Sequence, residues 1–134
     1  MRSAHARWLV LALVAGATAG CGSGMLKTKG RVLMNGAPFK PAPNAFLRVI
    51  FVPILPEGKT ARDFFVAEVN AADCTFQVSG KDGKGMPPGK YRVALEHDLD
   101  KRDLFKGKYD ALKSPFVYDV DSGTKEIVID LEKK

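Results

Sequence analysis

Three groups of side chains in this sequence are of a type that could do chemistry. Cys21 and Cys74 are the two cysteines, and a thiol can carry a lipid, form a disulfide or act as a nucleophile. Residues 97–103 hold one histidine and three aspartates, which are potential ligands of a cation. Aromatic side chains could contact a ligand through their rings: Phe64, Phe65, Phe105, Tyr109 and Tyr118.

Cys21 comes directly after a stretch with the features of an export signal. Arg2 and Arg7 precede an uncharged, mostly apolar run, residues 8–20, that ends in small residues. The run is too short to cross a bilayer as a lasting helix, but it has the length and flanks of a cleaved signal peptide. Residues 18–21, Thr-Ala-Gly-Cys, resemble the lipobox of bacterial lipoproteins, whose cysteine is acylated and becomes the new N-terminus. The sequence therefore predicts a lipoprotein signal peptide over residues 1–20 and a lipid on Cys21.

The residues around Cys21 leave alternatives to lipidation open. Thr18 stands where the lipobox usually has an aliphatic residue, and two tripeptides within residues 15–19 also suit the general signal peptidase. Simple secretion is therefore the main alternative, and an uncleaved anchor is the third. Residues 22–24, Gly-Ser-Gly, favour lipidation because a lipid-anchored domain needs a flexible tether. The predicted tether runs over residues 21–26.

An acylated Cys21 predicts attachment to a membrane. Each buried CH₂ group of an acyl chain contributes about 0.8 kcal/mol, so two or more chains give stable attachment. No aspartate follows Cys21, and in similar lipoproteins this goes with passage to the outer membrane. The predicted location is the cell envelope, lipid-anchored at the outer membrane, on its periplasmic or surface side. The predicted partners are the membrane and an envelope protein or glycan.

The charge of the chain argues against nucleic acid as a partner. The sequence has 134 residues, with 21 basic and 15 acidic side chains. Without residues 1–20, which hold two of the basic ones, 114 residues remain with 19 basic and 15 acidic side chains, a net charge of +4. These charges are mixed along the chain with no basic block, as on an ordinary solvated surface. A chain of this length fits one domain, predicted over residues 27–134, which can fold without disulfides.

Short runs of alternating apolar and polar residues follow the tether, and turn residues separate them. This period of two is typical of half-buried strands. The clearest run is residues 90–97, in which Tyr91, Val93 and Leu95 share one face. Asn35 and Gly36 suit the positive φ angles of a tight turn. The predicted strands are residues 29–34, 46–52, 61–69, 75–79, 90–97, 116–120 and 125–131.

Seven short strands and no long helix indicate an all-β fold, a seven-stranded Greek-key β-sandwich. A closed barrel of five or six strands is the alternative. Residues 98–114 are charged and lack the period of a strand, so we predict a short irregular or helical insertion there. Within it, residues 100–106 could form one or two helical turns.

Several segments resemble one known family. Three pieces within residues 30–53 (Gly-Arg-Val, Asn-Gly-Ala-Pro-Phe and Val-Ile-Phe-Val-Pro) are similar to the opening of the carboxypeptidase regulatory-like, transthyretin-like β-sandwich family. Residues 87–93, Pro-Pro-Gly-Lys-Tyr-Arg-Val, resemble its signature turn into the next strand. Residues 73–76 resemble its Asp-Gly-Thr-Phe hairpin, with Cys74 where the family usually has glycine. The resemblance implies a transthyretin-like or immunoglobulin-like sandwich and a non-catalytic binding or scaffolding role.

The surroundings of Cys74 favour a structural thiol. A positive φ at this position would cost a cysteine about 1 kcal/mol. If Cys21 carries a lipid, Cys74 has no disulfide partner; otherwise a Cys21–Cys74 bridge is conceivable in an oxidising envelope. A nucleophilic thiol needs a base, and the chain after residue 20 has one histidine, His97, in no recognisable Cys-His arrangement.

The acidic stretch and the rest of the chain predict no catalytic or metal site. Lys101 and Arg102 lie inside the stretch and EF-hand spacing is missing, so it reads as a solvated loop. Zinc would need more histidine or cysteine than remains after residue 20. We predict no enzyme activity, no cofactor and no metal.

Among the aromatic residues, Phe105 and Tyr109 are the candidate ligand contacts, because they lie in the irregular segment. The alternative is that they pack this segment against the sandwich. Phe65 and Tyr118 lie on predicted inward faces and are assigned to the core.

The sequence as a whole predicts a non-catalytic, lipid-anchored cell-envelope lipoprotein that acts as a structural or protein-interaction module. The alternative is a small-ligand or glycan-binding module that uses the loops at residues 80–89 and 98–114. An exposed aromatic patch would favour the alternative.

Overall fold

Nine β-strands and no helix make up the described part of the computed structural model, which covers residues 24–56 and 63–132. The predicted signal peptide, Cys21, residues 22–23 of the predicted tether and residues 61–62 of the third predicted strand lie outside the described residues. The strands are β1 (Lys29–Met34), β2 (Ala37–Pro38), β3 (Phe46–Pro53), β4 (Phe65–Glu68), β5 (Thr75–Gln77), β6 (Gly89–Leu99), β7 (Arg102–Asp103), β8 (Val117–Val120) and β9 (Ile127–Asp130).

The strands form two sheets. One has four strands, with β2, β5 and β9 all paired to β1, and the other has five, in which β3 lies between β4 and β6. β6 is the longest strand, and it pairs with β3 along one edge and with β7 and β8 along the other. All pairs are antiparallel except the parallel pair of β1 and β9. The predicted all-β class is confirmed, and the two sheets are consistent with a β-sandwich.

A single core joins the two sheets. Alternate residues of β3 (Leu47, Val49 and Phe51) are buried, as the period of two requires. The Phe51 ring lies 6.1 Å from that of Phe76 on the other sheet and 6.0 Å from that of Tyr91 in β6. The same cluster contains buried side chains of both sheets. Burial of these inward faces is the main stabilising contribution to the fold.

Each of the seven predicted strands overlaps one strand of the structure, and β3 and β6 extend beyond their predicted ends. The described residues hold nine strands because they include two further short ones. β2 lies between the first two predicted strands, and it exists because Asn35 and Gly36 form the predicted tight turn, with φ angles of 52° and 78°. The Asp130 carboxylate accepts the backbone N–H groups of both turn residues. This contact fastens the β1–β2 hairpin to β9.

The second short strand, β7, lies in the insertion predicted at residues 98–114. β6 extends to Leu99, so the insertion begins at Asp100, and apart from β7 it consists mostly of turns. The expectation of helical turns over residues 100–106 is wrong, and the irregular alternative is correct. Asp100, Lys101 and Lys106 have φ angles of 52°, 63° and 53°, which a right-handed helix excludes. The Asp103 carboxylate also accepts three backbone N–H groups, so the backbone donors bond to a side chain.

We predict that Gly30→Ala destabilises the fold. Gly30 lies opposite Phe76 in the β1–β5 pair, and a Cβ atom there would overlap the Phe76 ring and the carbonyl oxygen of Ile127. Overpacking of this kind typically costs about 1–3 kcal/mol, which urea denaturation would measure as a lower free energy of unfolding. Gly89→Ala is the matched control, because its Cβ would meet Tyr91 at an ordinary 3.7 Å. Equal stability of Gly30→Ala and the wild type would contradict the packing described.

Candidate functional site

A groove of about 510 Å³ runs along the outer face of the five-stranded sheet. Its floor consists of Ile50 and Val52 of β3 and Ala94 of β6. Phe64, which precedes β4, lines one side, and the insertion at residues 98–114 lines the other. The volume lies in the range of known small-molecule sites. Leu95, whose side chain is buried in the core, also borders the groove. The remaining lining residues are polar or come from the insertion: Arg48, Glu96, Asp98, Lys101, Asp103, Asp110 and Ala111.

The pairing of β3 with β6 determines which side chains meet on this face. Since alternate residues of β3 point into the core, the residues between them, Arg48, Ile50 and Val52, point outward. The register places Glu96 opposite Arg48 and Ala94 opposite Ile50. The groove therefore has an apolar middle and a charged end.

The charged end is a small ionic network. Arg48 Nη2 lies 3.0 Å from Glu96 Oε2 and 3.5 Å from Asp98 Oδ2. Arg48 Nε and Asp98 Oδ1 are shielded from solvent and have no hydrogen-bond partner among the described residues. Ion pairs this exposed typically add about 0–1 kcal/mol to stability. The network therefore matters more for the chemistry of the groove than for the fold.

Two aspartates hold the insertion that forms the far wall. Asp103 accepts the backbone N–H groups of His97, Phe105 and Gly107 at 3.1, 3.1 and 2.8 Å. Asp110 accepts those of Lys113 and Leu112 at 2.8 and 2.9 Å. These backbone hydrogen bonds, with the nearby Lys113 ammonium, lower the pKa of Asp110. Both carboxylates therefore stabilise the backbone conformation of the insertion.

The aspartates of residues 97–103 are potential ligands of a cation. Within residues 24–56 and 63–132, no three His, Cys, Asp or Glu side chains are grouped so that they could hold a metal ion. Asp103 bonds to the backbone, and Asp98 lies beside Arg48.

The candidate contacts Phe105 and Tyr109 lie behind this wall. Tyr109 is buried, and its hydroxyl donates to the carbonyl oxygen of Leu131 at 3.0 Å. Phe105 is half-buried, and its ring centroid is 5.1 Å from that of Tyr109 and 5.8 Å from that of Phe39. This packing matches the alternative in which both rings hold the insertion against the sheets. Phe65 and Tyr118 are half-buried against the core.

His97 belongs to the same aromatic cluster. Its buried ring lies 5.3 Å from that of Phe39 and 5.2 Å from that of Phe105. Nε2 accepts the backbone N–H of Ala42 at 3.0 Å. Burial lowers the pKa of His97, and the charge of Asp103 opposes this effect in part. The neutral ring is therefore the form that fits the fold, since only it can accept from Ala42.

Cys74 has a φ angle of 59°, which is the positive value that would strain a cysteine at this position. Its side chain is buried, and Sγ donates to the carbonyl oxygen of Phe39. Burial, with the charge of Asp73, raises the pKa of the thiol. A protonated thiol in the core is a poor nucleophile.

The loop at residues 80–89 contributes to a different surface from the insertion. Residues 87–89 line a second groove of about 390 Å³, together with Ile54 and Phe65. Neither groove includes residues of both loops. The loops at residues 80–89 and 98–114, which the sequence predicts as alternative ligand-binding loops, therefore border separate grooves.

Comparisons with protein-family models, with curated proteins and with solved structures found no match to this chain. The part of the chain that the structure describes contains no helix long and apolar enough to span a bilayer.

We predict that stability falls as the pH drops from about 7 towards 5.5. The pKa of His97 is lowered in the folded state, so in this range the unfolded chain binds a proton more readily than the folded one. The stabilisation is complete above the unfolded pKa of about 6.5 and is lost as the pH falls through the folded pKa. One proton limits the slope to about 1.4 kcal/mol per pH unit.

Urea denaturation at a series of pH values measures this slope. His97→Gln removes the titrating group and should flatten the dependence between pH 7 and 5.5. Asp103 contacts His97, and its charge opposes the lowering of the His97 pKa. Stability should therefore depend on pH more steeply in Asp103→Asn than in the wild type. A slope that is identical in the wild type and in His97→Gln would contradict the role of His97.

Proposed function

We propose that this protein is a non-catalytic, lipid-anchored lipoprotein of the bacterial cell envelope that acts as a structural or protein-interaction module. Residues 1–20 export it, and acyl chains on Cys21 hold it at the outer membrane. The observation that carries the proposal is the position of Cys21, directly after the small residues of the export signal and five residues before Leu26. Leu26 is the first residue of the described chain with a backbone pairing.

The short tether supports a module held close to the membrane. Leu26 N donates to Met86 O at 2.7 Å, and Met86 N donates to Leu26 O at 2.9 Å. Five residues span at most about 18 Å when fully extended. An acylated Cys21 would therefore keep the surface around Leu26 within this distance of the lipid headgroups.

The connections between the sheets support a transthyretin-like Greek-key sandwich. The chain changes sheet between β2 and β3, between β4 and β5, between β5 and β6, and between β8 and β9. Repeated exchange of strands between two mostly antiparallel sheets is typical of Greek-key sandwiches, and β1–β9 is the one parallel pair among the described strands. The positive φ of Cys74, where the resembling family has glycine, also fits this proposal.

The second candidate is a small-ligand or glycan-binding module. The groove on the five-stranded sheet favours it, because the insertion at residues 98–114 forms one of its walls. The two candidates are compatible, since the groove and the tether involve different residues.

We predict that Cys21→Ser abolishes lipid attachment. Serine lacks the sulfur that forms the thioether of a lipoprotein, so the variant should appear in the soluble fraction and carry no radiolabelled palmitate. Cys74→Ser is the matched control, because it removes the buried thiol and leaves Cys21 in place. The wild type and this control should both carry label and sediment with the membranes. Label on Cys21→Ser, or an unmodified Cys21 in the mass spectrum of the wild type, would contradict the proposal.

A further inference from the structure

The groove offers an apolar surface beside charged side chains of both signs. Ile50, Val52 and Ala94 form its floor, and Phe64, which is 54 % exposed, stands at one side. An aromatic ring left this exposed beside an apolar floor is a platform for a flat apolar surface of a ligand. We propose that this groove binds a neutral saccharide, which rests on the second candidate function and names the ligand class and the contact residues.

The charges favour a neutral ligand that both donates and accepts hydrogen bonds. Arg48 and Lys101 contribute two positive charges, and Glu96 and Asp98 contribute two negative ones. Asp103 and Asp110 also border the groove and keep their negative charges, so the lining carries two positive and four negative charges. Asp103 accepts three backbone N–H groups, and Asp110 accepts two and lies 3.5 Å from the Lys113 ammonium, which offsets part of this excess. An anion would therefore meet net repulsion, and a cation would compete with Arg48 for the carboxylates that already pair with it, whereas a neutral ligand avoids both costs.

A saccharide hydroxyl suits such a surface because it is both a donor and an acceptor. Arg48 has five N–H donors, of which its contacts with Glu96 and Asp98 employ only those on Nη2. The two carboxylates hold the guanidinium in place, so it does not need to be ordered when a ligand binds. Phe64 precedes β4 and lies about four residues, or about 13 Å, along the sheet from Glu68, which pairs with Arg48. One ring of a disaccharide can therefore cover Phe64 with its C–H face while hydroxyls of the other ring bond to Arg48 and Glu96.

The size of the groove agrees with this ligand class. Its volume of about 510 Å³ would hold one or two sugar rings. The apolar floor lies next to the charged end because Ile50 and Arg48 alternate with core residues on one strand. A ligand with apolar ring faces and polar edges therefore matches both parts of the groove at once.

The test titrates the full-length protein, in a detergent without a sugar headgroup, with N,N′-diacetylchitobiose, maltose and cellobiose by isothermal titration calorimetry. We expect saturable binding of at least one disaccharide. Phe64→Ala and Arg48→Gln should each raise the Kd for the disaccharide about tenfold, because each removes roughly one aromatic or charged contact. The matched controls are Val128→Ala and Arg31→Gln, whose side chains are exposed by 45 % and 49 % and belong to the four-stranded sheet, outside the groove. These controls should bind as the wild type does.

Chemical-shift mapping on the ¹⁵N-labelled wild type requires no substitution and should move the backbone amides of Ala94 and Ala111. Sedimentation with isolated peptidoglycan, compared with the free disaccharides, separates a polymeric envelope glycan from a free sugar. Cys21→Ser should bind saccharide unchanged, so failure of the anchor and failure of the groove are distinguishable. The proposal is overturned if no disaccharide binds, if binding survives both groove variants, or if a lysine-rich peptide displaces the sugar from the groove.

Discussion

The antiparallel pairing of β3 with β6 is the constraint on which the rest of the molecule depends. Eight consecutive residue pairs join the two strands, from Phe46 with Asp98 to Pro53 with Tyr91. Because side chains alternate across a strand, one register buries Val49 against the core and puts Ile50 on the floor of the groove. A slip of one residue would exchange the two faces. The core and the groove are therefore two consequences of the same pairing.

Much of this fold could be predicted from the sequence because its strands alternate so regularly. In residues 90–97 the alternation of apolar and polar residues identifies the inward face, and Tyr91 on that face is buried as expected. Asn35 and Gly36 specify their turn through the φ angles they tolerate, which depends on local chemistry alone. β7 was missed because a strand of two residues shows no period. Its pairing depends on β6, which the chain has just left.

The groove could not be predicted in the same way. Arg48 and Asp98 are 50 residues apart and meet only through the register of β3 with β6. One signal was present, since Ile50 and Val52 make the outer face of a predicted strand apolar as well. A strand with two apolar faces in an antiparallel sheet indicates that something covers the second face. The sequence points to Phe105 and Tyr109 instead, because they lie in the irregular segment, yet their rings pack against the core beneath the insertion.

The insertion at residues 98–114 explains how a wall without regular structure can be well defined. Positive φ angles at Asp100, Lys101 and Lys106 cost about 1 kcal/mol each. Three backbone hydrogen bonds to Asp103 offset this cost, and hydrogen bonds to charged groups contribute about 1.5–3 kcal/mol each. The turns are thus held by a carboxylate from one side and by the buried Tyr109 from the other. A wall fixed in this way keeps its shape before any ligand arrives, so binding in the groove would not have to supply the free energy of ordering it.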